Sequence, residues 1–148
     1  MTATIDSNGS FERQYLFVLW RKARPARERI LADLAREFKV LERFEVSWPW
    51  WKTPALLRTF YSDRRWVRWL RKAITCGAWR FEAILVEDER PEFATADDEG
   101  YFPGENRHVH DVKQRYRKWT GGRWRVYSSA TQAETRYQYG FLKESKEF

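Results

Sequence analysis

Residues 15–20, Tyr-Leu-Phe-Val-Leu-Trp, form a continuous apolar run. That pattern predicts a strand buried on both faces, and therefore central in a sheet. A basic loop, Arg21-Lys22-Ala23-Arg24, follows it. Pro25 suits the first turn of a helix, where a missing amide costs nothing. Ile30, Leu31, Leu34, Ala35 and Phe38 then recur at helical spacing, predicting a helix over 25–37. Over 40–48, Val40, Glu42, Phe44 and Val46 alternate with Leu41, Arg43 and Glu45, which predicts a second strand. Pro49-Trp50-Trp51-Lys52-Thr53-Pro54 breaks the alternation as a loop that exposes two indoles. A short helix is expected over 55–61, and Ser62-Asp63 cap another that reaches about residue 74. In that second helix Trp66, Trp69, Leu70 and Ala73 share one side, with Arg64, Arg65, Arg68, Arg71 and Lys72 over much of the rest. Thr75-Cys76-Gly77 ends it, with Gly77 placed as a C-terminal cap.

Residues 79–86 predict a third strand, and 87–104 an acidic loop long enough to be functional or mobile. A helix over 111–119 would bury Val112, Tyr116 and Trp119. Residues 123–127 alternate basic and apolar, predicting a fourth, half-buried strand. The small residues Ser128, Ser129 and Ala130 lead to Thr131 and Glu134, which are spaced as a capping box. The helix they open runs to about residue 143, with Ala133, Tyr137, Gly140 and Phe141 facing inward. Strand, small loop and helix start together offer a seat for an anion, and they equally suit an ordinary connection. The whole order predicts an α+β fold, an antiparallel sheet with helices packed on one face, of the ferredoxin-like class. The chain divides into a flexible tail, 1–13, and a single domain, 14–148.

Composition narrows the function. The formal net charge of +7 favours anionic partners, namely nucleotides, nucleic acid, acidic proteins or anionic membranes. Nine Trp are more than a core of this size absorbs, so several belong to surfaces or binding sites. The single cysteine, Cys76, excludes a disulfide framework and a Cys-rich zinc site, and points to a reducing, cytoplasmic setting. No apolar stretch is long enough to span a bilayer, and residues 1–10 carry no apolar run of a signal peptide.

Candidate chemistry is sparse. His108 and His110 stand two apart, which on a strand puts both imidazoles on one face, but no third ligand is well spaced and no metal site is expected. Ser128 has no partner visible in the sequence to act as its base. The pairs Asp97-Asp98 and Glu87-Asp88 read as solvated carboxylates. The basic-aromatic helix with Arg64, Arg65, Arg68 and Arg71, joined by Trp50 and Trp51, is suited to neutralise phosphates and stack on bases, or to dock an acidic protein. Its Trp side chains equally fit a buried stripe.

Four stretches, in chain order over about 15–143, resemble the nucleoside diphosphate kinase family. The first is the apolar strand at 15–20 with its basic loop and the helix Arg27-Glu-Arg-Ile-Leu-Ala-Asp-Leu-Ala-Arg-Glu-Phe38. The second is Phe60-Tyr61 before a helix, with Thr75-Cys76-Gly77 at the turn before the third strand. The third is Pro103-Gly104-Glu105-Asn106-Arg107, and the fourth is Arg125-Val-Tyr-Ser-Ser-Ala-Thr-Gln-Ala-Glu134. The resemblance implies a ferredoxin-like domain and, in the family, γ-phosphate transfer through a phosphohistidine. It puts Lys22, with Arg21 as the neighbouring choice, at the phosphate-side lysine. Tyr61 falls at the nucleotide-clamping tyrosine and Arg107 at a phosphate-binding arginine. Arg125 stands at an asparagine, where it adds positive charge or pairs with an acid such as Glu105. Ser128 stands at the nucleophilic histidine. A serine hydroxyl without an activating base is a far poorer nucleophile, so the implied protein is a pseudoenzyme. It would bind a nucleotide or phosphorylated ligand, with magnesium only if a nucleotide binds, and form a homo-oligomer as one option. His108 or His110 is the only substitute for the missing histidine. The alternative is a nucleic-acid-binding or protein-assembly module using the basic, Trp-rich surface.

Overall fold

The apolar run becomes β1, Gln14–Leu19, and all of its residues are buried. The computed structural model describes residues 13–61, 79–122 and 125–145. The tail at 1–12, the helix expected over 62–74 with Arg64, Arg65, Arg68 and Arg71, the turn Thr75-Cys76-Gly77, and Arg123-Trp124 lie outside the described residues.

After β1 come a 3-10 turn, Arg21–Ala26, then α1, Arg27–Glu37, β2, Lys39–Ser47, and α2, Thr53–Tyr61. The rest is β3, Arg80–Glu87, α3, Arg107–Thr120, β4, Val126–Ser128, and α4, Gln132–Ser145. The four strands form one sheet in the order β2-β3-β1-β4. All three pairings are antiparallel, with Phe17 opposite Ile84 on one side and Ser128 on the other. This is the expected α+β architecture.

The helices, however, cover both faces of the sheet rather than one. Leu16, Val18 and Trp20 pack with Leu57 and Phe60 of α2 and Leu142 of α4. Tyr15, Phe17 and Leu19 pack with Ile30 and Leu34 of α1 and with Val109, Val112 and Tyr116 of α3. The unbroken apolar run requires this, because a strand apolar on both sides must be covered on both.

Local differences from the sequence reading have identifiable causes. The basic loop is a 3-10 turn with Pro25 inside it, anchored by wholly buried Ala23, whose amide donates to the Trp20 carbonyl at 2.8 Å. In β2 the register shifts between Val40 and Glu42. The extra residue of this bulge sends both Leu41 and Glu42 toward α4. Leu41 packs with Leu85 and Tyr139, and the Glu42 carboxylate accepts from Tyr139 Oη and Lys143 Nζ, both at 2.5 Å. Helix α3 starts at Arg107, four residues early, because the Asn106 side chain caps it by accepting from the His108 amide at 3.0 Å. His108 and His110 are therefore first-turn helical residues, not strand or loop residues. Gly121, with φ 75°, ends α3 in the left-handed conformation that glycine adopts without a Cβ clash.

The inward face of α4 also differs. Thr135, Gln138, Leu142 and Ser145 are buried, while Ala133, Tyr137 and Gly140 are exposed and Phe141 is half-buried. The polar members are satisfied inside: Gln138 Nε2 donates to Tyr127 Oη at 2.7 Å, and Ser145 Oγ accepts from Trp48 Nε1 at 3.0 Å. Finally, Asp88 is not a solvated loop carboxylate. It is fully buried and accepts from Asn106 Nδ2 at 2.8 Å and the Arg90 amide at 3.0 Å.

Candidate phosphate-binding cleft

The Trp20 amide donates to the Arg125 carbonyl at 3.0 Å, which zips the end of β1 to the chain entering β4. That link brings the 3-10 turn beside Arg125. Arg21, Lys22, Pro25, Trp79 and Arg125 line one open cleft of about 360 Å³. The Arg21 guanidinium lies over the Trp79 ring, 5.3 Å from its centroid. Lys22 is exposed, and neither it nor Arg21 has a carboxylate partner among the described residues. Arg125 is braced from behind. Its Nη1 donates to the Thr120 carbonyl, and any Cβ on Gly122 would meet its Nε at 3.0 Å. It does not pair with Glu105, whose Oε1 stands 2.7 Å from His110 Nδ1.

Ser128 lies elsewhere. It is 3% exposed and lines a narrow pocket of about 10 Å³ with Glu105, His110 and Lys113. That volume holds about one water molecule. Burial pushes the Lys113 ammonium below its ordinary range, with Arg117 adding to the effect against Glu105 and Glu134. The neighbouring serine is structural. Ser129 Oγ accepts from the Leu16 amide at 2.9 Å and shares a hydrogen bond of 2.6 Å with Thr135 Oγ1. The start of α4 is already occupied by its own side chains: Thr131 Oγ1 accepts from the Glu134 amide and Glu134 Oε1 from the Ala130 amide, both at 3.1 Å. Half of the expected capping box forms, and its return arm reaches one residue further back.

Arg107 opens α3 and faces Asp98 and Glu92 at 3.6 and 3.7 Å, in long ion pairs on the outer loop. Tyr61 is half-buried, with its ring edge-on to Phe60 and Tyr127 at 4.9 and 5.1 Å. Of the five phosphate-site candidates, only Lys22 and Arg125 line a common cleft. Trp50 and Trp51 are 73% and 65% exposed. Sequence reasoning missed Trp79, because its place beside Arg21 depends on strand pairing and leaves no local signal. Among the described residues, no group of three or more His, Cys, Asp or Glu is arranged to hold a metal ion. No described helix is long and apolar enough to cross a membrane.

No family model matches this sequence, and no curated protein matches it. The fold is nonetheless shared. The nucleoside diphosphate kinase of Aquifex aeolicus superposes with a TM-score of 0.58, covering 88% of this chain and 94% of that one at 16% identity. The chain thus has a nucleoside diphosphate kinase-like α+β fold.

Proposed function

We propose that this domain binds a nucleotide or another phosphorylated ligand in the cleft of Arg21, Lys22, Trp79 and Arg125, without phosphohistidine turnover. The carrying observation is the convergence of Lys22 and Arg125 on one cleft from opposite ends of the chain. Three cationic side chains there suit phosphate oxygens, which take charge-assisted hydrogen bonds, and the Trp79 indole offers an apolar wall. The kinase-like fold supports the reading, as does Ser128 where the resemblance puts the nucleophile. Its pocket is too small for a phosphoryl group. A magnesium ion would enter with the nucleotide phosphates.

Titration calorimetry with ATP, GTP and their diphosphates, with and without magnesium, tests it. Binding should weaken about tenfold or more in Lys22→Glu, the loss of one charge-assisted contact. No heat with any of the four would sink the proposal. Labelled phosphate should not pass from ATP to Ser128.

One observation favours a second reading. Trp50 and Trp51 stand out from the surface on a loop that also carries Lys52. A nucleic acid or an acidic protein docking there would be retained with a steep salt dependence, and Trp50→Ala would weaken retention. A homo-oligomer using the same indoles would show in a mass measurement by light scattering.

A further inference from the structure

His108 stands in the first turn of α3 with both ring nitrogens against carboxylates. Nε2 is 2.7 Å from Glu37 Oε2, at the end of α1. Nδ1 is 3.1 Å from each oxygen of Asp88, just beyond β3. A neutral imidazole carries one N–H, so it satisfies one carboxylate and turns a lone pair on the other. Only the imidazolium donates to both. The ring packs on Phe38 at 4.7 Å between centroids. Burial pulls the His108 pKa down, but the hydrogen bonds to Glu37 and Asp88 and their charges outweigh it, so the value is raised above that of an ordinary histidine. The Glu37 carboxyl is held low, chiefly by His108, against burial and with help from Arg115.

Other charges face this group. Arg115 Nη1 lies 3.3 Å from Glu37 Oε1 and 2.8 Å from Asp33 Oδ2. Arg36, Lys39, Glu89, Arg90 and Glu92 line the open cleft beside the ring. This mixed field leaves the two contacting carboxylates as the specific partners.

Asp88 also fixes the root of the long loop at 88–106. It holds Asn106, whose Oδ1 accepts from the Glu92 amide at 3.3 Å and caps α3 at His108. Inside that root the Ala94 amide donates to the Glu105 carbonyl at 2.8 Å, and the Arg107 amide to the Glu92 carbonyl at 2.7 Å.

We propose that His108 is a pH-operated clasp. As an imidazolium it ties α1 to Asp88 and holds the 88–106 loop shut, and on losing its proton it lets that loop open. The clasp is independent of the ligand cleft. Its sign follows from linkage. A histidine with a raised value when closed stabilises the closed form fully below its open-chain value, and the contribution is lost as pH rises through the closed-form value. Glu37, held low, works at the other end: its contribution is present above the ordinary carboxylate value and lost as pH falls through its lowered one.

The test combines histidine ring NMR with amide hydrogen exchange at Ala94 and Arg107, normalised to intrinsic rates, over the range from mildly acidic to mildly alkaline. The opening equilibrium should rise about tenfold per pH unit above the open-chain value near 6.5 and level off at the raised value. His108→Gln should abolish that dependence, with the loop poorly protected throughout. Glu37→Gln, a change at a half-exposed carboxylate, should move the His108 titration and the pH at which opening levels off to lower values together, and so shrink the total rise. His110→Gln should leave both in place. A His108 ring that titrates at or below 6.5 overturns the proposal. So does protection that stays flat while the ring titrates, or the same pH dependence surviving in His108→Gln.

Discussion

Ser128 and Ser129 are adjacent, small and hydroxylated, and the fold uses them differently. Ser129 closes the β1–β4 seam through the Leu16 amide and ties it to α4 through Thr135. Ser128 Oγ makes no hydrogen bond to a described residue and faces a pocket of about 10 Å³. Ser129→Ala should therefore cost about 1–3 kcal/mol, because a buried amide loses its acceptor. Ser128→Ala should stay within about 0.5 kcal/mol. Urea denaturation of the two variants reads the difference, and equal losses would contradict these assignments. The small loop and the family resemblance both make Ser128 conspicuous in the sequence, while the residue with the larger structural duty is its neighbour. Asp33 makes the same point. It is 2% exposed on α1 and accepts from Tyr116 Oη at 2.7 Å and Arg115 Nη1 at 2.8 Å. Hydrophobic patterning assigns such a position to solvent, because the partners that make burial tolerable lie far along the chain.

Elements were legible where apolar periodicity is dense. The continuous run at β1, the Ile30–Leu34 stripe of α1 and the alternation over 40–48, which became β2, all formed the elements they suggest. The misses follow from polar residues doing inward work. The start of α3 was hidden because Asn106 caps it with a side chain whose other contacts, to Asp88 and Glu92, are not local. On α4, Gln138 and Ser145 look solvent-facing in sequence, yet Gln138 joins Tyr127 and the Phe60 carbonyl, the latter at 3.4 Å. The site was less legible still. Lys22 and its neighbour Arg21 stand out in the sequence, but Trp79 and Arg125 join them only through the pairing of distant segments. The cap of α4 offers a direct check at this scale. Thr131→Ala should destabilise by about 1 kcal/mol, through loss of the acceptor for the Glu134 amide. Amide exchange should rise first at Glu134 and Thr135, and an unchanged midpoint would show that the hydroxyl does not hold the turn.

At the scale of the molecule, the sheet separates the described residues of the interior onto two faces, each with its own pair of described helices. The α2/α4 side holds Leu57 and Phe60, and the α1/α3 side holds Ile30 and Tyr116, all fully buried. Leu57→Ala should cost about 2–5 kcal/mol and Ile30→Val about 0.5–1.5 kcal/mol. Because these residues lie on opposite faces, the double variant should fall within about 0.5 kcal/mol of the sum. Ile30→Val with Ile84→Val, both on one face, should depart from additivity. Denaturant midpoints of the three single and two double variants decide this, and strong coupling across the sheet would mean that the two cores respond as one.

The central place of β1 has a consequence in time. During synthesis this apolar strand emerges first, yet β3 begins at Arg80 and β4 at Val126. The bond from Leu16 to Ser129 spans 113 residues, which at ribosomal speeds is a wait of roughly 6–23 seconds. Until β3 has been made both edges of an uncharged strand lack their native neighbours, and the edge that β4 covers stays open for the whole interval, a condition that invites pairing with another nascent chain. A cell making this protein must shelter Gln14–Leu19 until the last strand arrives, so its yield should depend more on chaperone supply than its finished stability would suggest.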